Sequence, residues 1–460
     1  MTTLDLQYLV EATGGRLVAE GLRTLCAGVT TDSRAVRAGC VFFALTGEKF
    51  DGNTFAAAAS QEAAAVVVSR EVSGIHPACS IIRVPDTLAA LQQLALRWRR
   101  DLPGLRVVGI TGSSGKTSVK DMTRAVLATR YATVATRGNL NNHIGVPLSI
   151  LTAEPGTQAA VWEMGMNHAG ELAPLCALTQ PHIGIISHIG SAHIGLLGSR
   201  DAIAHEKCTL ARALPQDGWM IYPAADDYAD YISTQTAAQP LPVGGPESAV
   251  RAREVQLTPQ GSRYELIIEG LGSAPVQLPV PGMHMVTNSL LAAAAGWKLG
   301  CSLEQITAGL AGMALTPGRL ACREAHGFTL IDDTYNANPE SMRAALRTIA
   351  EMRGHKRHFA VLGKMGELGE AGVAAHAEIG WFAASQGYAA VVVMGDECPE
   401  TLALCQAAAE GVPALLVSTP DEAAAALRRL AAPGDAILFK GSRSAGVEHA
   451  LSAFLHSFES

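Results

Sequence analysis

The feature that most constrains this chain is the stretch VVGITGSSGKTSVKDM, residues 107–122. The apolar run VVGIT is of strand type, a loop with Gly112 and Gly115 follows, and SVKDMTRAVLA continues as an amphipathic helix. At such a junction backbone N–H groups converge on an anion, and the helix dipole adds to the attraction. Ile110 stands where the general G-x-x-x-x-G-K-[ST] phosphate loop has its first glycine. Despite that spacing, the stretch predicts a nucleotide phosphate site in an α/β fold.

Similar strand–helix units fill the rest of the chain after residue 106. The strand-type segments are RVVGIT, ATVAT, AAVWEM and HIGIISHIG, and, beyond ALTPGRL (314–320), FTLIDDTY, HFAVLG, AAVVVMG, ALLVS and DAILFKG. Apolar strands separated by helices predict parallel sheets covered on both faces. Because 460 residues exceed one comfortable core, we predict an α/β protein of three domains.

The expected boundaries follow from these segments. We predict a small mixed α/β domain over 1–102, a central P-loop parallel-sheet domain over 103–314 and a Rossmann-like domain over 315–460. The first domain closes with the helix TLAALQQLALRWRR (87–100) and the turn DLPGL (101–105). Inward-facing residues are predicted on this helix and on the one after the phosphate loop: Leu88, Leu91, Leu94, Ala95 and Trp98, then Val119, Met122, Val126 and Leu127.

Composition excludes several classes of protein. A net charge of −7 argues against a nucleic-acid-binding surface, which needs clustered Lys and Arg. The nine cysteines form no C-x-x-C pair, which indicates reduced thiols and no structural zinc. The first residues show no basic start followed by an apolar run, and no apolar stretch nears the ~20 residues of a membrane helix. We therefore expect a soluble cytoplasmic protein.

Residues within the phosphate loop and further along the chain are candidates for its chemistry. Lys116 is expected to reach the β- and γ-phosphates, and the Thr117 hydroxyl to ligate Mg²⁺. A P-loop metal needs an acid at a neighbouring strand end, and Glu163 follows AAVW. His193, in the Gly-rich loop 187–199, is either a polar loop residue or a ligand of a second Mg²⁺. Lys207 falls on a predicted helix, where a lone lysine is usually solvated.

Two further segments are too polar for the interior of a strand or helix. RGNLNNHIGVP (137–147) contains Asn139 and Asn142, and DDTYNANPESM (332–342) contains Asp333. Dense Asn, Asp, Gly and Pro form turns in many proteins. Loops that follow apolar strands in α/β units also line the ligand crevice, and this second interpretation is favoured here.

Taken together, these stretches resemble the Mur ligase family, ATP-dependent enzymes that add amino acids to UDP-N-acetylmuramic acid. The family's phosphate loop, T-G-[ST]-[NS]-G-K-[TS], is matched in full by TGSSGKT (111–117), so the glycine spacing is the family's own. GNLNNHIGVPL, EMGMNHAGEL, DDTYNANPESM and KGSRSAGVE are most similar to members that add D-alanyl-D-alanine to UDP-N-acetylmuramoyl-tripeptide. TDSR (31–34) and GCVFFALTGEKFDGNTF (39–55) resemble the uridine-nucleotide-binding domain.

The resemblance implies an amide ligase that uses ATP and two Mg²⁺ ions and forms an acyl phosphate. It further implies a carbamylated Lys207 and a monomer, while the net charge and the short apolar stretches predict neither nucleic-acid binding nor membrane insertion. The resemblance also implies roles for individual residues. The ATP phosphates would be bound by Gly112, Ser113, Ser114, Gly115, Lys116 and Thr117. Thr117 and Glu163 would ligate the first Mg²⁺, and His193 the second.

Other residues would contact the rest of the nucleotide and the substrate. Asn288 would contact adenine, and Arg319 and Asp333 would contact phosphate and ribose. Asn139 and Asn142 would lie on the acyl-substrate side, and Ser33 near the uridine.

Two positions depart from the family pattern. Met285 replaces the first Asn of an H-N-x-x-N motif, and Lys364 stands where an Asp is common. The alternatives are a diamino-acid-adding Mur ligase or another amide ligase such as folylpolyglutamate synthase. A regulatory GTPase would need an N-K-x-D segment, which the sequence lacks. A catalytically inactive relative would have lost Lys116, Glu163 or Lys207, and all three are present.

Overall fold

The computed structural model describes residues 3–23, 25–47, 50–258 and 260–459. Glu48 and Lys49 of the predicted uridine-side segment therefore lie outside the described residues. The chain divides into two units: the first comprises Met1–Gly109, Tyr131–Met166 and Glu171–His182, and the second Ile110–Arg130, Asn167–Gly170 and Ile183–Ser460. The three predicted domain boundaries stay a prediction.

The strands are β1 (Thr3–Asp5), β2 (Arg16–Ala19), β3 (Leu25–Ala27), β4 (Val29–Thr30), β5 (Val41–Phe43), β6 (Ala65–Val68), β7 (Ser80–Arg83), β8 (Arg106–Thr111), β9 (Thr133–Ala135), β10 (Ala159–Glu163), β11 (Ile183–Ile186), β12 (Trp219–Pro223), β13 (Gln239–Val243), β14 (Val250–Thr258), β15 (Gly261–Ile268), β16 (Gly272–Leu278), β17 (Ala321–Ala325), β18 (Phe328–Asp333), β19 (His358–Gly363), β20 (Ala390–Met394), β21 (Ala414–Val417) and β22 (Ala436–Lys440).

The helices are α1 (Leu6–Thr13), α2 (Ala56–Ala59), α3 (Thr87–Arg100), α4 (Lys116–Ala128), α5 (Gly145–Ile150), α6 (Leu172–Thr179), α7 (Ile194–Leu197), α8 (Arg200–Lys207), α9 (Thr209–Arg212), α10 (Ala229–Thr234), α11 (Met283–Lys298), α12 (Leu303–Ala311), α13 (Pro339–Glu351), α14 (Gly372–Ser385), α15 (Pro399–Ala409), α16 (Pro420–Leu430) and α17 (Val447–His456). Within the described ranges, none of them is long and apolar enough to cross a bilayer.

The first unit contains a mixed sheet in the order β2-β7-β6-β5-β4. Only β2 runs antiparallel to its neighbour. β9 and β10 also pair in parallel within this unit. The predicted helix α3 begins after Asp86, whose carboxylate accepts the N–H groups of Leu88 and Ala89. Its predicted inward face is confirmed except at Leu88, which is only half-buried because Ala90 takes the inward position.

The second unit contains a sheet in the order β17-β18-β22-β19-β20-β21, in which only the edge strand β17 is antiparallel. Phe328, Phe359, Phe439 and Phe454 are buried in its core. β11, β12 and β13 form a parallel set in the same unit. The parallel pairings confirm the α/β prediction and bring the carboxyl ends of β18 and β22 side by side.

One part of the second unit was not predicted from the sequence. β14, β15 and β16 form an antiparallel sheet over residues 250–278. These strands mix polar and apolar residues, and buried and exposed positions alternate along much of β15. Because one face of such a strand meets water, it lacks the continuous apolar run that revealed the buried parallel strands. In contrast, the predicted inward face of α4 is fully buried at Val119, Met122, Val126 and Leu127.

Candidate active site

The phosphate loop connects β8 to α4, as predicted. Gly112 has a φ of +152° and Gly115 a φ of +80°. A Cβ at Gly112 would lie 2.0 Å from Ser187 Oγ, and a Cβ at Gly115 would lie 2.9 Å from Asn288 Oδ1. Both positions therefore require glycine, for backbone conformation and for close approach.

The residues after β11 hold this loop from one side. The Ser113 N–H donates to the His188 carbonyl at 2.7 Å. Ser187 Oγ donates to the Ser114 carbonyl at 2.5 Å. This one neighbouring segment thus holds the loop backbone at two points, so little ordering entropy remains to be lost when a ligand binds.

Several polar atoms of the loop have capacity for a ligand. Lys116 Nζ donates to the Gly112 carbonyl at 2.7 Å, which places its ammonium over the loop. In the described part of the chain, the hydroxyl groups of Thr111 and Ser113 are buried without a hydrogen-bond partner. Leaving such groups unsatisfied costs about 1–3 kcal/mol each. A ligand oxygen within hydrogen-bond distance of these hydroxyls would relieve that cost.

Lys207 ends α8 and is only 1% exposed, so the structure rules out a solvated lysine. Burial, and then the positive charge of Lys116, lower the pKa of Lys207 well below its usual value, while Glu206 opposes the shift. An amine with a strongly lowered pKa is neutral over more of the physiological pH range. The neutral amine is the form that reacts with CO₂.

His193 lies in the loop before α7 in a left-handed conformation, with a φ of +66°. Its Nδ1 lies 2.5 Å from Glu367 Oε2, an ion-pair contact without an aligned hydrogen bond. This contact lowers the pKa of Glu367; burial opposes the shift, and the charge of Lys116 adds to it. His193, Glu367 and Lys116 therefore interact electrostatically at one place. Glu367 was not among the site residues predicted from the sequence.

The same loop is anchored by a second histidine. His188 Nδ1 lies 2.8 Å from Asp226 Oδ2, which also accepts the Ile189 N–H at 2.9 Å. Burial raises the pKa of Asp226, but the contacts with His188 and Ile189 outweigh it and leave the pKa below its usual value. His188 therefore serves the loop's conformation.

Arg319 approaches the phosphate loop from the segment before β17. Its Nη2 donates to Thr117 Oγ1 at 3.3 Å, and its guanidinium lies 4.1 Å from the centre of the Tyr335 ring. Its Nε is buried and lacks a hydrogen-bond partner among the residues described. A guanidinium with an unused donor beside the loop hydroxyl is suited to bind a phosphate oxygen.

Asp333 ends β18 beside Lys440 of β22, its direct partner in the parallel ladder. Lys440 Nζ donates to Asp333 Oδ2 at 2.6 Å and to the Asn336 carbonyl at 3.1 Å. Asp333 Oδ1 accepts the Leu320 N–H at 3.2 Å. Both oxygens of the predicted ribose ligand are thus engaged within the protein, and its ribose contact stays a prediction.

The loop after β18 also reaches the phosphate loop. Asn338 caps α13 by accepting the Ser341 N–H, and its Nδ2 donates to the Ser113 carbonyl at 3.3 Å. Glu340 Oε1 accepts the Ser191 N–H at 2.8 Å. Pro339 at the first helical position favours the start of α13 at this place. The Asn-rich motif is therefore both a helix cap and a contact of the site.

Asn288 of α11 covers the other side of the loop, against Gly115. It is 6% exposed, and its Nδ2 lies 3.6 Å from the sulfur of Met285. Met285, which replaces the first Asn of the H-N-x-x-N motif, thus contacts Asn288, the second Asn of that motif. The predicted contact of Asn288 with adenine stays a prediction.

In the first unit, Glu163 ends β10 and is 2% exposed. Its Oε1 accepts Asn141 Nδ2 at 2.8 Å, and its N–H donates to Thr136 Oγ1 at 3.0 Å. Oε2 is buried with no hydrogen-bond partner among the described residues. A buried carboxylate oxygen without a donor is suited to a cation.

The other predicted residues of the first unit have local roles. Asn142 Oδ1 accepts the N–H groups of Ile144 and Gly145 at the start of α5. Asn139 is exposed, and Ser33 begins a short 3₁₀ turn capped by Asp32. Substrate contacts of Asn139, Asn142 and Ser33 stay predictions. Asn141, which was not among the predicted site residues, is the Asn that contacts Glu163.

The donor set fits Mg²⁺ rather than a metal held by the protein alone. No cluster of three His, Cys, Asp or Glu side chains able to hold a metal occurs in the described ranges. Mg²⁺ in nucleotide sites needs only one or two protein oxygens, together with phosphates and water. The Thr117 hydroxyl and the unpartnered Glu163 oxygen are each an oxygen of this kind, and their binding of one ion stays a prediction. All nine cysteines are free, as expected.

These features define a nucleotide-binding α/β protein with a P-loop, and comparison with known proteins identifies its family. The Mur ligase middle domain matches residues 110–296, the Mur ligase glutamate ligase domain 318–443, and the Mur ligase family catalytic domain 26–99. UDP-N-acetylmuramoyl-tripeptide–D-alanyl-D-alanine ligase of Escherichia coli is 38% identical over 404 residues, 86% of this chain and 87% of that protein. The Bacillus subtilis ligase of the same name is 38% identical, covering 78% of each chain. The chain belongs to the Mur ligase family.

Solved structures agree with this assignment. MurF from Acinetobacter baumannii has a TM-score of 0.90 and 34% identity, covering 99% of each chain. MurF from Thermotoga maritima, in complex with ADP, has a TM-score of 0.82 and 28% identity, covering 94% of this chain and 98% of that one. Folylpolyglutamate synthase from Mycobacterium tuberculosis, at 20% identity and a TM-score of 0.63, shares the fold.

Proposed function

We propose that the protein is an ATP-dependent amide ligase that adds D-alanyl-D-alanine to UDP-N-acetylmuramoyl-tripeptide, through an acyl phosphate. The observation that carries the proposal is the presence of two cations, Lys116 and Arg319, at one phosphate loop, together with a buried Lys207 whose pKa is lowered by burial and by the charge of Lys116. The two relatives described above, each 38% identical, bear the name of this activity and support the choice of substrates. The reaction is the last peptide addition to the peptidoglycan precursor before it leaves the cytoplasm.

The proposed chemistry explains why cations gather at the loop. A carboxylate does not react with an amine, because oxide would have to leave. Transfer of the γ-phosphoryl group from ATP to the tripeptide carboxylate gives an acyl phosphate, and the dipeptide amine then displaces phosphate at the acyl carbon. The first step brings two anions together, so Lys116 and Arg319 lower its barrier by neutralising charge as it develops.

Thr117, Glu163 and His193 remain the predicted magnesium ligands, with Thr117 and Glu163 on a first ion and His193 on a second. When bound, Mg²⁺ supplies positive charge to the phosphate oxygens. The depressed pKa of Lys207 supports its predicted carbamylation, since the neutral amine attacks CO₂ and loses a proton to give a carbamate. That group would carry a negative charge near the cation Lys116, where it would help to orient a metal ion or the substrate.

The wider setting is proposed on the same basis. We expect three domains at 1–102, 103–314 and 315–460 with uridine nucleotide, ATP and dipeptide roles in that order. We also expect a monomer that acts in the cytoplasm, where ATP and the UDP-linked precursor are found. The nearest competing function is a diamino-acid-adding Mur ligase, which would use a single amino acid as acceptor.

Phosphate release by the purified protein tests the proposal. The assay contains ATP, Mg²⁺ and UDP-N-acetylmuramoyl-tripeptide with either lysine or diaminopimelate as third residue. Phosphate and ligated product should form with D-alanyl-D-alanine and not with D-alanine or diaminopimelate alone. Lys116→Ala is the inactive control. Turnover of UDP-N-acetylmuramoyl-dipeptide with a diamino acid would instead establish the competing function.

A further inference from the structure

A partly buried carboxylate on the phosphate-loop helix, that of Asp121, contacts the segment that carries Arg319. Asp121 lies one turn after Thr117 on α4, so the two side chains share a face of the helix. Asp121 Oδ2 accepts both the N–H and the hydroxyl of Thr316, each at 2.9 Å. Asp121 Oδ1 lies 2.9 Å from Lys120 Nζ, and these two side chains are 12% and 4% exposed.

The three residues after Thr316 are constrained as well. Pro317 fixes its own φ. Gly318 has a φ of +76°, its carbonyl accepts the Tyr335 N–H at 3.1 Å, and a Cβ there would lie 3.0 Å from Tyr335 N. The segment therefore has little freedom between its contact with Asp121 and Arg319, whose guanidinium stacks on Tyr335.

The segment runs along α4 against the helix direction. Thr316 is bonded at Asp121, and Arg319 reaches back to the Thr117 hydroxyl. Two positions four residues apart on a helix are separated by about 6 Å, a distance that three residues in a turn can span. The contact at Asp121 thus sets where along α4 the guanidinium lies.

We propose that Asp121 and Thr316 are positioning residues for Arg319: they fix the 316–319 segment on the phosphate-loop helix, so that the guanidinium is in place before nucleotide binds. The inference rests on the proposed function in one respect, the assignment of Arg319 as a phosphate ligand. A long arginine side chain loses rotamer freedom when it binds, and prior positioning lowers this loss. A merely structural contact would stabilise the fold without affecting nucleotide affinity.

Calorimetric titration of the full chain with MgADP tests the proposal. Thr316→Val keeps the shape and the backbone N–H but removes the hydroxyl donor, and it should weaken MgADP binding about fivefold, the worth of roughly one hydrogen bond. Thr316→Ser retains the donor and should restore wild-type affinity. Asp121→Asn removes the negative charge of the group that accepts both the N–H and the hydroxyl of Thr316. This variant should weaken MgADP binding more than Thr316→Val does.

A double-mutant cycle separates positioning from general stability. In an Arg319→Ala background, Thr316→Val should cause no further loss of MgADP affinity, because no guanidinium remains to be positioned. Independent, additive losses would overturn the proposal. So would a Thr316→Val protein with a lower melting temperature and unchanged affinity, or an Arg319→Ala protein that binds MgADP normally. A wild-type protein that fails the ligase assay, yet shows the coupled cycle, would refute the proposed function and leave this inference standing.

Discussion

Lys207 and Lys440 are both 1% exposed, yet they have opposite electrostatic surroundings. Lys440 donates to Asp333 at 2.6 Å and is part of a buried ion pair. Burial lowers its pKa, and Asp333 works against that shift. Lys207 is also shifted first by burial, but the next effect is repulsion from Lys116. Burial alone therefore does not distinguish the two lysines. The larger charge interaction is repulsive for Lys207 and attractive for Lys440, which makes Lys207 the candidate for the proposed carbamylation.

The largest effect is expected when the buried pair is broken. Lys440→Met leaves Asp333 charged and buried without its cation, which costs about 3–5 kcal/mol in unfolding free energy. Urea denaturation measures this loss. The double variant Lys440→Met with Asp333→Asn removes both charges and should recover most of it. If the single variant were as stable as the wild type, the ion pair of Lys440 with Asp333 would not stabilise the fold, and the contrast drawn with Lys207 would be wrong.

Lys207→Ala should affect catalysis more than folding. We expect kcat to fall roughly 10²-fold or more, the size seen when a group that orients metal or reacting charge is lost. A short carboxylic acid added to the assay should restore part of the activity by occupying the place of the carbamate. The same acid added to Lys440→Met is the control and should restore nothing. Unchanged activity of Lys207→Ala would contradict the carbamate role.

The pH dependence of stability sharpens the same contrast. Because the pKa of Lys207 is lower in the folded state, the unfolded chain binds more protons between that value and about 10.4. Stability should therefore rise with pH in this window, by at most about 1.4 kcal/mol per pH unit for this group. In CO₂-free buffer, Lys207→Met should flatten the rise between pH 7 and 9. Lys440→Met should change the slope less, since Asp333 opposes the shift there. Equal slopes for wild type and Lys207→Met would show that the buried amine is not depressed.

Local sequence patterns predicted those elements whose formation depends mainly on residues close together in the chain. The phosphate loop, α3 and α4 appear where apolar periodicity, capping residues and glycines placed them. Lys207 was different, because a lone lysine on a helix predicts exposure and only the family resemblance marked it. Its burial comes from elements distant in the chain, which periodicity within α8 cannot reveal.

Contacts between distant segments account for what the sequence did not reveal. Glu367 contacts His193, which lies 174 positions earlier in the chain (367 minus 193). Asp121 and Thr316 are separated by 195 positions. Asn141 rather than Asn139 or Asn142 contacts Glu163, a choice set by the direction of each side chain in the loop. Composition marks such loops as polar, but only the folded backbone decides which oxygen or amide points at a partner.

Lys364 completes the comparison as a lysine that is paired but only partly buried. Its Nζ lies 2.9 Å from Glu400 Oε1, and the two side chains are 44% and 22% exposed. The contact with Lys364 lowers the pKa of Glu400 to about 2 and raises that of Lys364. Water and salt screen such a pair, so Lys364→Met should change the unfolding free energy by at most about 1 kcal/mol. Urea denaturation at low and high salt measures it, and any loss should shrink at high salt. If Lys364→Met lowered the unfolding free energy as much as Lys440→Met, the exposure of an ion pair would not determine its contribution to stability, and the comparison would fail.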